Sequence, residues 1–99
     1  MNFFKWFEII LPTLEKSAVS MKKIIDYLET LPSPIFILET GCLRKVNSFA
    51  GDGQSTLIFD NYVQYRGKDS KIFSVDINEL NVRTCKNTVS ENVHVQCTV

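Results

Sequence analysis

The sequence predicts an α/β fold: three parallel strands joined by crossover helices, a three-layer sandwich seen in part, behind an N-terminal helical segment. Three observations carry this expectation. Short apolar runs end in acidic or turn-forming residues, as in Ile35-Phe36-Ile37-Leu38-Glu39-Thr40-Gly41 and Lys71-Ile72-Phe73-Ser74-Val75-Asp76. Runs of that length and composition are those of buried parallel strands. The segments between them have helical spacing, and parallel strands require such crossovers. Ahead of both, residues 1–34 show apolar residues at helical spacing and then a proline break, which divides the chain into residues 1–34 and 35–99.

The first stretch is rich in Phe3, Phe4, Trp6, Phe7, Ile9, Ile10 and Leu11, interrupted by Lys5 and Glu8 and ended by Pro12. It is too short to span a bilayer, and its internal charges do not suit a signal-peptide core. Packing against the rest of the protein or a partner is favoured over anchoring at a membrane surface. Leu14, Ala18, Met21, Ile25 and Leu28 then recur at spacings of four, three, four and three, which predicts one helix over residues 13–30. Leu31-Pro32-Ser33-Pro34 breaks it, because proline lacks an N–H and disfavours helix in the residue before it.

After the first strand, Ile58, Phe59, Tyr62 and Val63 place one apolar face on a helix over about residues 55–65, with Ser55 as N-cap and Gly67 as terminator. Residues 71–75 form the second strand. Asn78 caps the next helix, with Glu79 in its first turn and Leu80, Val82, Cys85 and Val89 as its apolar residues. Residues 93–99 alternate: Val93, Val95, Cys97 and Val99 against His94, Gln96 and Thr98, the pattern of a strand near a sheet edge. Right-handed crossovers between such strands give a unit of Rossmann type.

Ninety-nine residues, 44% of them apolar and 11% aromatic, suffice for one domain with a modest core. Eleven basic and eleven acidic residues cancel, so no global field draws the chain to nucleic acid or an anionic membrane, and no basic–aromatic interleaving marks a nucleic-acid surface. Cys42, Cys85 and Cys97 are odd in number and lack C-x-x-C spacing, which signals neither a disulfide framework nor a zinc site and reads as reduced, cytoplasmic thiols. His94 is the one histidine, and alternation sets it opposite Cys97, so it reads as a surface residue rather than half of a base–nucleophile pair. Asp60 and Asp69 read as solvated acids, and Tyr62 and Tyr65 as packing or rim residues.

The candidate site lies where the strands end. Glu39 and Gly41 close the first strand, and Gly51 and Gly53 put permissive backbone just before a helix start at Ser55 and Thr56. Free N–H groups and the helix dipole favour an anion there. Asp76 ends the second strand, where a doubly wound sheet presents a carboxylate to a ribose. These are the parts of a nucleotide-type cofactor site, and spacing alone does not select the cofactor. Asp76 follows Gly53 by 23 residues, near the ribose-acid distance of a nicotinamide site, but the G-x-G-x-x-G fingerprint is absent.

The order Leu38-Glu39-Thr40-Gly41, Gly51-Asp52-Gly53-Gln54-Ser55-Thr56, Phe73-Ser74-Val75-Asp76-Ile77 resembles the N-terminal portion of the Rossmann-like S-adenosylmethionine-dependent methyltransferases. The resemblance covers residues 35–99 and is nearest to the branch with a lengthened loop after the first strand. It implies that Glu39 and Gly41 hold the methionine portion of S-adenosylmethionine. It further implies that Gly53, Ser55 and Thr56 meet the carboxylate, and that Asp76 accepts both ribose hydroxyls. The chain departs from the family in placing Cys42 to Ala50 before Gly51, where further glycines are usual. It also stops after the third of seven strands.

The expectation is therefore a cofactor-binding part without catalytic competence of its own and without the segments that choose a methyl acceptor. An unpaired first strand would make the sheet edge a place for self-association. A different Rossmann nucleotide binder and a non-enzymatic interaction module are the alternatives.

Overall fold

The computed structural model describes residues 2–41, 55–67 and 69–97 of the chain. Helix α1 spans Phe3–Ile10; Asn2 caps it by accepting from the Lys5 N–H at 2.9 Å. Phe3, Phe7 and Ile10 form its buried stripe. The N-terminal aromatics pack on the rest of the chain: the Phe3 ring meets Tyr62 edge-on at 5.2 Å, and Phe4 meets Tyr65 at 5.1 Å. No helix among the described residues is long and apolar enough to cross a membrane.

The single helix expected over residues 13–30 is divided. Leu11–Ser17 is a 3₁₀ segment opened by Pro12, and helix α2 is confined to Ala18–Leu28. Glu15, at φ 54° and ψ −123°, kinks the chain within Leu11–Ser17, ahead of α2. The apolar stripe survives the kink, since Leu14, Ile25 and Leu28 are buried and Ala18 and Met21 pack on the same core. Periodicity reported the buried face correctly and missed the break in the backbone.

Strands β1 (Phe36–Thr40), β2 (Lys71–Asp76) and β3 (Val93–Cys97) form one parallel sheet in the order β1-β2-β3. Helix α3 (Ser55–Arg66) joins the first pair and α4 (Glu79–Thr88) the second. Asn78 caps α4 as expected, its Oδ1 accepting from Leu80 N at 2.9 Å and Asn81 N at 3.1 Å. Gly67, at φ 120°, ends α3 with its N–H on the Val63 carbonyl at 3.1 Å.

Both crossovers advance the same way along the sheet, so right-handed connections put α3 and α4 on one face. Contacts agree. Asp60 of α3 accepts from the backbone N–H and the hydroxyl of Ser90, just past α4. Ile35, Ile58, Tyr62, Val63, Ile72 and Val93 share one core with Phe3, Phe7, Ile10, Leu14, Ile25 and Leu28. The opposite face is bare: Phe36, Leu38 and Phe73 are 64%, 74% and 43% exposed. Among the described residues the unit has a sheet and one helical layer, and no helix covers the second face.

Arg66 at the end of α3 ties the N-terminal segment down. Its guanidinium donates to the Leu28 carbonyl at 2.7 Å, the Tyr62 hydroxyl at 2.8 Å, Ser33 Oγ at 3.0 Å and the Leu31 carbonyl. Two of these acceptors are backbone carbonyls at and beyond the end of α2, and that of Leu28 also accepts from the Leu31 N–H at 3.1 Å.

Candidate functional site

The carboxyl ends of β1 and β2 are aligned by the ladder. Thr40 pairs with Val75, and the Gly41 N–H continues past the strand to the Val75 carbonyl at 2.7 Å. Gly41 and Asp76 therefore follow side by side at the ends of adjacent strands. Gly41 has φ +84°, a conformation that L side chains rarely adopt, and among the described residues an added Cβ would meet nothing within 4 Å. The glycine is needed for the turn of the backbone.

Glu39 lies on the helix-covered face and is buried. Thr56 and Ser74 donate their hydroxyls to its Oε1, the latter at 2.9 Å, and Ser55 donates to Oε2. One carboxylate thus joins β1, the first turn of α3 and β2. Ser55 is the first residue of α3, and its hydroxyl is turned to Glu39 rather than serving as the expected helix cap. The hydroxyls of Ser55 and Thr56 are engaged inward, which leaves backbone N–H groups as the donors this helix start can offer an anion.

Asp76 is also buried, at the last position of β2. Its Oδ1 accepts from the Asn78 N–H at 2.8 Å and its Oδ2 from Asn81 Nδ2 at 3.4 Å. Those bonds fix the carboxylate at the mouth of the β2–α4 turn. Gly51 and Gly53 lie outside the described residues. Of the seven candidate site residues, Glu39, Gly41, Ser55, Thr56 and Asp76 are described. All five lie at or beside the carboxyl ends of β1 and β2.

Comparison with protein-family models, curated proteins and solved structures finds no match. The site is therefore judged on its own chemistry.

Ser74 and Asn81 belong to this cluster and were not assigned from the sequence. Ser74 had a signal: two-residue alternation from Ile72 to Asp76 puts it on the covered face, where a hydroxyl needs a partner. Asn81 had none, because its bond depends on how α4 leaves the sheet. Asp60 corrects an expectation. It is buried rather than solvated, held by Ser90 and by Gln64 Nε2 at 3.2 Å, since its helix face turns toward the α4–β3 connection. His94 lies on the open face, exposed, with its ring stacked on Phe73 at 5.1 Å and 17°. Tyr62 is fully buried and Tyr65 lies at the rim, as read from the sequence. Among the described residues no three of His, Cys, Asp and Glu converge as a metal site.

Proposed function

We propose that residues 35–97 are the S-adenosylmethionine-binding part of a methyltransferase-like unit. The observation that supports this best is the β1–β2 register, which sets the glycine turn at Gly41 next to the anchored carboxylate of Asp76. A glycine turn at Gly41 and a carboxylate held at a strand end suit a ligand carrying a ribose. Asp76 would accept the ribose hydroxyls. Gly41 and the first-turn N–H groups at Ser55 and Thr56 would hold the amino-acid end. Glu39 would act from behind, fixing the start of α3 against the two strands. The cofactor, when bound, supplies an electrophilic methyl group on a sulfonium.

No residue of this chain is assigned to methyl transfer, and the acceptor is left open. The bare sheet face fits the same proposal, because the full Rossmann arrangement packs a second helical layer there.

Calorimetric titration of S-adenosylhomocysteine into the full chain tests the proposal, with NAD as the competing ligand. Asp76→Asn is the control, since an amide oxygen can still accept from the Asn78 N–H. The expected result is binding of S-adenosylhomocysteine in preference to NAD, weakened at least tenfold by the substitution. Equal binding by both proteins removes Asp76 from the site. Preference for NAD replaces the cofactor, and no binding by the folded chain removes the proposal.

A further inference from the structure

Strand β1 exposes a self-complementary edge. Lys71 N–H bonds the Ile35 carbonyl at 3.0 Å and Gly41 N–H bonds the Val75 carbonyl at 2.7 Å. A parallel ladder uses alternate residues of each strand, so Ile35, Ile37, Glu39 and Gly41 face β2. Phe36, Leu38 and Thr40 then turn both their N–H and their C=O to the other side. No described strand lies there, because the sheet order is β1-β2-β3. Natural edges are usually blunted by lysine, proline or a bulge. Phe36-Ile37-Leu38-Glu39-Thr40 has none of these, and its one charge, Glu39, points beneath α3.

We infer that this edge pairs with β1 of a second copy, antiparallel about a two-fold axis through Leu38. The register follows from the three outward residues, which are evenly spaced about Leu38. On that axis Leu38 meets Leu38 of the second copy, and Phe36 meets its Thr40. Every outward N–H then faces an outward C=O, three of each from either copy, so all are satisfied. Sliding the strands by two residues leaves unpaired groups. The two-fold closes the assembly at two chains and makes one continuous sheet.

Side chains agree with this register. Leu38 packs on Leu38 and Phe36 on Thr40 along the bare face, and no like charges stand opposite one another. The area is modest. Phe36 and Leu38, 64% and 74% exposed, with the backbone edge, give a few hundred Å² per copy, below the ~800 Å² typical of a stable pair. The dimer therefore forms and dissociates with concentration. The complete Rossmann sheet would fill this same edge with a further strand, so the inference concerns the edge as this chain presents it, and it is tested without cofactor.

Sedimentation equilibrium of the full chain over about 1 μM to 1 mM reads it directly. The expected result is a mass rising from one chain toward two. Leu38→Pro deletes an outward N–H while sparing the bonds to β2, and Leu38→Lys sets two ammonium groups together at the axis. Both variants should stay at one chain with unchanged far-UV circular dichroism. Hydrogen exchange on the unaltered chain gives an independent reading: the Phe36, Leu38 and Thr40 amides should slow together as concentration rises. A wild-type chain that stays single across the range overturns the inference. So does a dimer that survives both substitutions, or exchange at those amides that ignores concentration.

Discussion

Replacing Glu39 tests whether the site is braced from inside. Thr56 and Ser74 are fully buried, and with Ser55 they converge on this carboxylate. A hydrogen bond to a charged group contributes about 1.5–3 kcal/mol, so three independent ones would total about 4.5–9 kcal/mol. They share one acceptor group and Ser55 is only part-buried, so the sum overstates the loss, and Glu39→Ala should cost about 3–5 kcal/mol, as for removal of one member of a buried charged network. A chain of this length has roughly 5–15 kcal/mol of net stability, which places the alanine variant near the edge of folding. Glu39→Gln should cost less, about 1–2 kcal/mol, because its oxygen still accepts from Thr56 and Ser74 while Ser55 turns to accept from the amide. Ser74→Ala removes one bond and should fall in the same range. Urea unfolding followed by Trp6 fluorescence and circular dichroism gives the midpoints, compared at constant slope. Combining Glu39→Gln with Ser74→Ala should cost less than the sum of the two, since both act on one network. A Glu39→Ala variant within about 0.5 kcal/mol of the wild type, as for an ordinary surface change, would refute the brace.

Two further outcomes follow from the N-terminal half of the core. The Tyr62 phenol is pushed up to about 12 from 10.0, by burial first and then by its hydrogen bond to Glu29, with Arg66 opposing. The folded state holds this proton more tightly than the unfolded chain, so the associated stability is full below pH 10 and is lost as pH rises from 10 through about 12. At about 1.4 kcal/mol per pKa unit this amounts to about 2–3 kcal/mol, and the alkaline fall in the urea midpoint should be shallower by that amount in Tyr62→Phe. Identical alkaline slopes in the two proteins would exclude Tyr62 as the source. Glu15 holds a positive φ of 54° that a side chain disfavours, so Glu15→Gly should relieve strain of about 1 kcal/mol and raise Tm by about 4–8 °C. Glu15→Ala should give no such gain, and a melting scan in which Gly and Ala behave alike would show that the backbone there is not strained.

Elements whose signals are local were legible in the sequence. The strands followed from apolar runs, α4 from Asn78 and Glu79, and the end of α3 from Gly67. Features set by distant partners were not. Asp60 reads as a solvated helix acid until Ser90, thirty residues on, comes to lie against it. The hydrogen bond that Glu39 accepts from Ser74, thirty-five residues on in β2, likewise depends on a partner that no local pattern names. The kink at Glu15 was hidden for a different reason: three-residue and four-residue spacings both keep an apolar stripe in line across a 3₁₀ turn, so the stripe carries no record of the break. The most informative mismatch is β1. Its apolar residues on both faces announce a strand covered twice, yet the described helices cover only the face of Ile37 and Glu39. Phe36 and Leu38 are the part of that signal still without cover.

The covered face itself changes character along the strands. On β1 it runs from Ile35 and Ile37 to Glu39, and on β2 from Ile72 through Ser74 to Asp76. Hydrocarbon gives way to oxygen-bearing side chains along both strands, while Ser70, just before β2, and Asp60 of α3 are buried polar groups away from the carboxyl ends. Burying hydroxyls and carboxylates costs free energy unless each is hydrogen-bonded, and apolar side chains at those positions would pack without that requirement. A layer selected for stability alone would stay apolar to its end. Here four of the six buried polar residues among those described, Glu39, Thr56, Ser74 and Asp76, collect near the carboxyl ends of two adjacent strands, beside a glycine turn and the first turn of a helix. Local rules of packing tend to be broken where a site must be built. This concentration of buried oxygens supports the candidate site on packing chemistry, independently of which ligand is proposed for it.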